Sequence, residues 1–363
     1  MRSRNKLMTW GLLGLFAFIG ACGDSTGPDQ PFSADAAAED YAAMDAVVNS
    51  SAWDDFRTAS QGFSFGGGSS VPSAFAQIVD GGLEGLRSGD GEQAARDIVN
   101  SIGDLDISGQ SIISETHRGV VFVYDEIVED YVASELTGAP ATGVRFVLYE
   151  LDGSEVPIVA NEIGFVDLID EGDDIQPIAL RLSATANDIN FLDYRVELEN
   201  PDGPGSGSVM VDGFLRNDVD QLDFSIDVAS SATPGVETLD ITFDASIDNR
   251  GFDIAMMMTG VDDDTGETAD VTLTVTHGVH SMAVVANVTQ GVMDGTISLN
   301  GDLFATMTGD PDDPTFTSAS GTGLTAGEIA MLIRVAGVTE SVFTLFGELL
   351  EPAMHIVLLG LVL

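Results

Sequence analysis

The sequence predicts a mainly β protein, a large antiparallel meander (curved sheet, half-barrel or sandwich) with helical segments at its N- and C-terminal ends. From about Val120 onward apolar and polar residues alternate, as in residues 239–247, so that one face of each strand meets a core and the other meets water. Turn clusters such as residues 200–203 separate about ten to twelve segments of this kind. The connections are too short for crossover helices, which favours antiparallel neighbours over residues 119–320.

A helical region is predicted before the strands, over residues 34–110. Residues 34–56 have helix-forming composition, with Tyr41, Met44 and Val47 on one face, and residues 73–105 carry a second apolar stripe. Three glycines at 66–68 lie between these stretches. This run has neither the Lys nor the following Ser or Thr of a phosphate-binding loop, so it is interpreted as a connector.

The C-terminal segment, residues 324–363, does not show the alternation of apolar and polar residues that marks the strands. Thr325 and Glu328 have the spacing of a capping box, and the apolar residues that follow predict one or two helices packed on the sheet. Residues 356–363 are almost wholly apolar but too few to cross a membrane as a helix, which favours a buried last strand or a helix end.

The charge balance limits the partners. The chain has 59 acidic and 13 basic residues, a net charge of −46, and no lysine after Lys6. Such a surface repels phosphate backbones and anionic headgroups, which excludes nucleic acid as a partner. Solubility, salt adaptation and the codon bias of a GC-rich genome each account for the acidity.

The N-terminus has the layout of a secretory signal. A basic start, residues 1–6, precedes an uncharged apolar stretch over residues 7–19, which is shorter than a membrane-spanning helix. Small residues follow it, and the next residue is the only cysteine of the chain. One cysteine also means that no disulfide can form within the chain.

The segment Ile19-Gly20-Ala21-Cys22 resembles the lipobox of bacterial lipoproteins. This resemblance, which covers about 22 residues, implies a signal peptide over residues 1–21, cleavage before Cys22 and attachment of lipid to the Cys22 thiol. More than one acyl chain on one residue is enough for stable anchoring. Residues 22–33 would then be a lipidated tether, and Gly23 in place of Asp after the cysteine favours the outer over the inner membrane.

A transmembrane barrel is an alternative interpretation of the alternating segments. It is disfavoured because few aromatic residues are available for interfacial girdles and because a barrel would make the lipid anchor redundant. An exported protein held in the cell envelope by its N-terminal lipid therefore remains the preferred interpretation.

The sequence contains no catalytic motif in a supporting context. Gly-x-Ser-x-Gly occurs once, at residues 62–66, but it falls between two predicted helices, whereas a nucleophile elbow joins a strand to a helix. Ser-x-x-Lys does not occur in a mature chain without lysine, and the four histidines are His117, His277, His280 and His355. We therefore predict that the protein is not an enzyme.

Metal binding has two candidate places. Carboxylates at Asp262, Asp263, Asp264 and Glu267 are close enough in sequence to bind Ca²⁺, as are Asp310, Asp312 and Asp313, although neither loop matches an EF-hand. His277 and His280 flank a predicted hairpin tip, where Asp294 is the one carboxylate that could join them on zinc. Solvated turns are the preferred interpretation of both groups.

Three functions from different classes remain. The preferred one is a non-catalytic binding or structural β domain of the cell envelope. A carrier for an apolar ligand held between the sheet and the C-terminal helix predicts a cavity of several hundred cubic ångströms. An enzyme of unrecognised type predicts a cleft with convergent polar groups. The sequence names no protein or ligand partner beyond the membrane.

Overall fold

One β-sheet dominates the protein. The computed structural model describes residues 34–61, 95–99, 113–154, 156–172, 178–199, 206–311, 313–321, 323–336 and 344–352. The predicted signal peptide and tether, the glycines at 66–68, most of the second helical stripe and the apolar residues 356–363 lie outside these ranges.

Fifteen strands make up the sheet. Their bounds are β1 Val121–Asp125, β2 Asp130–Ala133, β3 Gly143–Leu151, β4 Pro157–Asp170, β5 Ile178–Ala186, β6 Ile189–Glu199, β7 Ser206–Arg216, β8 Gln221–Thr233, β9 Val236–Ile247, β10 Phe252–Asp263, β11 Gly266–His277, β12 His280–Thr289, β13 Val292–Leu299, β14 Asp302–Asp310 and β15 Asp313–Ser318. The sequence predicts ten to twelve. The short strands β1, β2 and β15 bury few apolar residues, so their alternation is faint.

From β3 to β15 the topology is a meander in which every strand pairs antiparallel with the next. The predicted mainly β antiparallel fold with helices at both ends is therefore confirmed. All fifteen strands belong to one sheet, with β2 and β15 at its edges. They do not divide into the two sheets of a sandwich.

One pair of strands departs from the antiparallel prediction. β1 pairs antiparallel with β2 but parallel with β3, so that β2 lies at the edge and β1 lies between β2 and β3. Residues 134–142 carry the chain from β2 across to the far side of β1. A short connection suffices here without a crossover helix, because β2 ends and β3 begins at the same end of β1.

Alternation of side chains separates an inner from an outer face of the sheet. In β9 the odd-numbered residues Ile241, Phe243 and Ile247 are at most 1% exposed, whereas Asp240 and Asp244 lie in solvent. Burying each large apolar side chain contributes about 1.5–3 kcal/mol. The inner face carries this stabilisation, and its buried residues join those of the helices in one hydrophobic core.

The helices precede and follow the sheet. They are α1 Ala34–Val48, α2 Ser51–Gln61, the helical residues 95–99, α3 Ala326–Ala336 and the helical residues 344–352. The helix predicted over residues 34–56 is thus two helices. It breaks at residues 49–50, where the Ser50 hydroxyl accepts a hydrogen bond from the Trp53 amide at 3.4 Å and caps α2.

Both helical ends pack on the inner face of the sheet. The Trp53 ring of α2 lies 6.4 Å, centroid to centroid, from that of Tyr194 on β6, and the Tyr194 hydroxyl donates to the Leu349 carbonyl at 3.1 Å. Helices from both ends of the chain therefore contact the same strand.

The predicted capping box at the start of α3 is confirmed. The Glu328 carboxylate accepts from the Thr325 amide at 2.6 Å, and the Thr325 hydroxyl accepts from the Glu328 amide at 3.2 Å. Met331 and Leu332 of this helix join the core. Among the helices that the structure describes, none is long and apolar enough to cross a bilayer.

Candidate functional site

The outer face of the sheet is acidic and, over much of its width, has no cation. Residues 236–318, which form β9 to β15 and their turns, contain fifteen acidic residues and a single basic one, Arg250. Three carboxylates lie in one row across the strands: Asp240 on β9, Asp270 on β11 and Asp294 on β13. Thr259 on β10 and Asn287 on β12 occupy the positions between them. We call these three residues the acidic row.

A small apolar patch lies beside the acidic row. Met257 on β10 and Val285 on β12 are 59% and 53% exposed and flank Thr272 in one register row. Ala255 and Ala283 occupy the next row. We call these five residues the outer patch. Exposed large apolar side chains in the middle of a sheet face are available to a partner.

A groove opens next to the outer patch, on β7 to β9. Its volume is about 350 Å³, and it is lined by Ser206, Gly207, Ser208, Asp227, Ala229, Ser230, Ser231, Thr238 and Asp240. The register Asp227–Thr242–Met257 joins the groove to the outer patch over two strand spacings. The groove therefore combines hydroxyl groups with two carboxylates and borders apolar surface.

The carboxylates around the groove repel one another. Burial, and then the nearby Glu197 carboxylate, raise the pKa of Asp227. Burial together with Glu197 and Asp227 raises the pKa of Glu199. Arg195 is paired with Glu171 at 3.2 Å and with Glu197. No arginine or lysine lines the groove, and Asp240 accepts a hydrogen bond from the Thr259 hydroxyl at 2.8 Å.

A second polar cluster ties α1 to one end of the sheet. The buried Asp40 carboxylate of α1 lies 2.5 Å from Nδ1 of His277, and Arg250 is 3.8 Å away. Arg250 also donates two hydrogen bonds to the buried Asp220, each of 2.9 Å, and Asn249 donates a third at 3.0 Å. These pairings satisfy buried charges, so we assign the cluster a structural role.

The acidic loop proposed for calcium is the tight β10–β11 hairpin. Asp262 and Glu267 are cross-strand partners and share one face, whereas alternation turns Asp263 to the other face. The Asp263 carboxylate accepts from the Thr265 amide and hydroxyl, which lowers its pKa. Asp264 lies in the turn between the strands. Within the described ranges no three His, Cys, Asp or Glu side chains are grouped to hold a metal ion.

The histidine pair lies at a hairpin, as the sequence predicts, but Asp294 does not join it. His277 and His280 are register partners on either side of the β11–β12 turn. Asp294 pairs with Asn287, seven residues along β12 from His280, which is roughly 20 Å. The two residues are therefore too far apart to share an ion, because the spacing in sequence does not report the register.

The sheet and the described helices share one buried core. Trp53, Phe56, Tyr194 and Leu349 are each at most 1% exposed and belong to it. A further pocket, of about 340 Å³, lies near the start of α3. Its lining is Leu303, Phe304, Ser318, Ser320, Gly323, Thr325 and Glu328.

Comparison with known proteins adds no relative. No family model, no curated protein and no solved structure matches this chain. The interpretation of the outer face therefore rests on its geometry and charge alone. The lipobox residues Ile19, Gly20, Ala21 and Cys22 lie outside the described ranges, so the lipidation site remains a prediction from sequence.

Sequence reasoning identified neither the groove nor the Asp40 cluster. The members of the cluster, Asp40, Asp220, Arg250 and His277, come from four parts of the chain that only the register and the packing of α1 bring together. Period-two alternation placed Asp240 and Met257 on the solvent side. It did not predict that they would be close.

Proposed function

We propose that this protein is exported and lipid-anchored in the bacterial cell envelope, where its β domain acts without catalysis as a binding or structural component. The observation that carries the proposal is the asymmetry of the sheet: one face is covered by helices, and the other is left to solvent with a groove and an apolar patch. The lipobox supports the anchor, and Gly23 favours the outer membrane.

A role without catalysis is supported by the surroundings of the described histidines. His277 pairs with Asp40, His117 lies 3.0 Å from the Ser114 hydroxyl, and His280 lies 3.5 Å from the Asn300 amide nitrogen. These three sites belong to different parts of the fold. Catalysis by a nucleophile and base requires both groups within hydrogen-bonding reach of one another and of a common cleft. Ser114 and His117 meet the distance, but neither of the two pockets described above includes them.

The anchor is tested by replacing the lipid acceptor in the native host. We expect the wild-type protein in the membrane fraction and Cys22→Ser in the soluble fraction, since without the thiol no diacylglyceryl group can be attached. Ser25→Ala, a change in the predicted tether, is the matched control and should stay with the membrane. Mass spectrometry of the mature N-terminus should show a lipid-modified Cys22.

Equal membrane association of Cys22→Ser and wild type would contradict the anchor. So would a mature chain that begins at an unmodified residue other than Cys22. Either result can be read without knowing the partner of the β domain.

The carrier function is tested on the same purified protein. Extraction with organic solvent followed by mass spectrometry should release no apolar molecule in stoichiometric amount, because the described side chains between sheet and helices are close-packed. One fatty acid or other apolar molecule per chain would favour a carrier over a binding or structural component.

A further inference from the structure

The charge of the outer face restricts what can dock on it. A second copy of this chain would bring the same acidic surface against the acidic row, and nucleic acid or an anionic lipid surface would be repelled in the same way. A partner that carries positive charge would instead neutralise Asp240, Asp270 and Asp294. The chain itself has no arginine or lysine in residues 251–318 to do so. Charge complementarity therefore selects a basic partner.

The groove has the chemistry of a site for a basic side chain. Asp227 and Asp240 are diagonal neighbours on β8 and β9, so their carboxylates start from positions roughly 7–8 Å apart. An ammonium or guanidinium group between them would lie within ion-pair distance of both. The hydroxyls of Ser208 and Ser231 line the same groove and offer acceptors for its remaining N–H groups.

The outer patch supplies the apolar contact that a purely ionic surface lacks. Met257 lies two strands from Asp227 in one register row, a separation of about 10 Å. In a polyproline II segment, which has three residues per turn and a rise of about 3.1 Å per residue, side chains three residues apart lie on the same side and are separated by about 9 Å. One segment crossing the strands can thus place a basic side chain in the groove and an apolar one on Met257.

We propose that the outer face of β7 to β12 is a docking surface for a basic polypeptide, with an Arg or Lys side chain between Asp227 and Asp240 and an apolar side chain on Met257 and Val285. This inference rests on the proposed function as a non-catalytic binding protein and names the chemistry of its partner. The raised pKa of Asp227, caused chiefly by burial and then by Glu197, agrees with it, because a bound cation would stabilise the charged form of this carboxylate.

The probe is a fluorescein-labelled peptide with three repeats of Arg-Ser-Ser-Leu, and its counterpart has Glu in place of Arg. Binding to the purified full-length protein in a non-ionic detergent is measured by fluorescence anisotropy at 20 and 150 mM NaCl. We expect the Arg peptide to bind, more weakly at the higher salt concentration, and the Glu peptide not to bind.

Three double variants separate the surface from general acidity. We expect the groove variant Asp227→Asn/Asp240→Asn to raise the Kd for the Arg peptide at least tenfold, and the patch variant Met257→Ser/Val285→Ser to raise it about threefold or more. The control Glu126→Gln/Glu135→Gln removes the same charge as the groove variant, but from exposed residues next to β1 and β2, at the β2 edge of the sheet. It should change the Kd less than twofold.

An equal loss of affinity in the groove variant and the control would overturn the proposal, because the peptide would then sense net charge only. Absence of binding at 20 mM NaCl would overturn it as well. Sedimentation of the protein alone should show a monomer. A dimer that the patch variant abolishes would overturn the proposal, because the docking surface would then bind a second copy of this chain. Thermal unfolding should show each variant folded. None of these outcomes bears on the Cys22 test, so failure of docking is distinguishable from failure of the anchor.

Discussion

At the scale of single residues, the most demanding positions are the buried carboxylates at the end of the sheet where α1 packs. Asp220 is 4% exposed and accepts three hydrogen bonds, two of them from Arg250. The hydrogen bonds from Arg250 lower the pKa of Asp220, which means that the folded state stabilises its charged form. Loss of that charge leaves part of the Arg250 side chain without its partner.

Asp220→Asn should lower the free energy of unfolding by about 1–2 kcal/mol at pH 7, a value discounted because Arg250 is about a third exposed. A carboxyl with a lowered pKa stabilises the fold above its unfolded value of 3.8, and this contribution is lost as the pH falls through the folded value. The difference between variant and wild type, measured by urea unfolding, should therefore shrink below pH 3.8. The exposed Asp302→Asn should not alter the midpoint, and a similar loss there would argue against a specific role for Asp220.

At the scale of secondary-structure elements, close packing of helices and sheet depends on a glycine in β7. Gly213 has φ +152° and lies in register between Tyr194 on β6 and Phe224 on β8. The two rings meet across it with centroids 6.3 Å apart. A Cβ at this position would lie 2.2 Å from the Asp193 carbonyl oxygen and 2.4 Å from the Tyr194 Cα. Only glycine allows this approach.

Gly213→Ala should therefore destabilise the protein by about 2–4 kcal/mol, in the range of strong steric disruptions of a core. Gly327→Ala in α3 is the matched control, because an added Cβ there meets nothing within 4 Å and alanine favours helix. We expect this control to leave the thermal midpoint unchanged or raise it. Equal midpoints for Gly213→Ala and wild type would show that the backbone of β6 and β7 relaxes around the methyl group.

At the scale of the whole molecule, acidity sets the balance between repulsion and stability. The carboxyls of Glu199, Asp212 and Asp227 have raised pKa values, chiefly because of burial, so that the folded state holds their protons more tightly than the unfolded state. Asp220, Asp263 and Glu328 have lowered pKa values because of their hydrogen bonds. The two groups respond to acid in opposite directions.

Stability should rise as the pH is lowered from 7 toward the unfolded pKa values of 3.8 and 4.5, and fall again below them. The rise follows from the groups with raised pKa values. Their contribution to the stability of the fold is complete below the unfolded values, 3.8 and 4.5, and is lost as the pH increases through the folded values. The fall follows because groups with lowered pKa values lose their contribution below those unfolded values. Thermal midpoints measured every half pH unit check this. In 0.5 M NaCl the rise should be smaller, since salt screens the repulsion, and a maximum at pH 7 or above would contradict the prediction.

Much of the fold could be predicted because alternation is a local property. The strict pattern of β9 and β10 marks both strands and the side of each that faces the core, and Met256 and Met258 are buried whereas Met257 is exposed. The capping box at Thr325 is equally local. The predicted count of ten to twelve strands was too low and the parallel β1–β3 pair was not predicted, because short strands with few buried residues leave little periodic signal.

The amino-acid sequence by itself determined the mainly β class, the helical ends and the acidic outer face, and it supplied the resemblance to a lipobox, since each depends on residues close together along the chain. Only the tertiary structure decided that Asp40 meets His277, that Asp294 lies far from that histidine, and that Asp227 and Asp240 line one groove two strands from Met257. The physical reason is register. Which residues face one another across strands depends on turn geometry and on the packing of the whole inner face, and a one-residue shift would move every side chain to the other side.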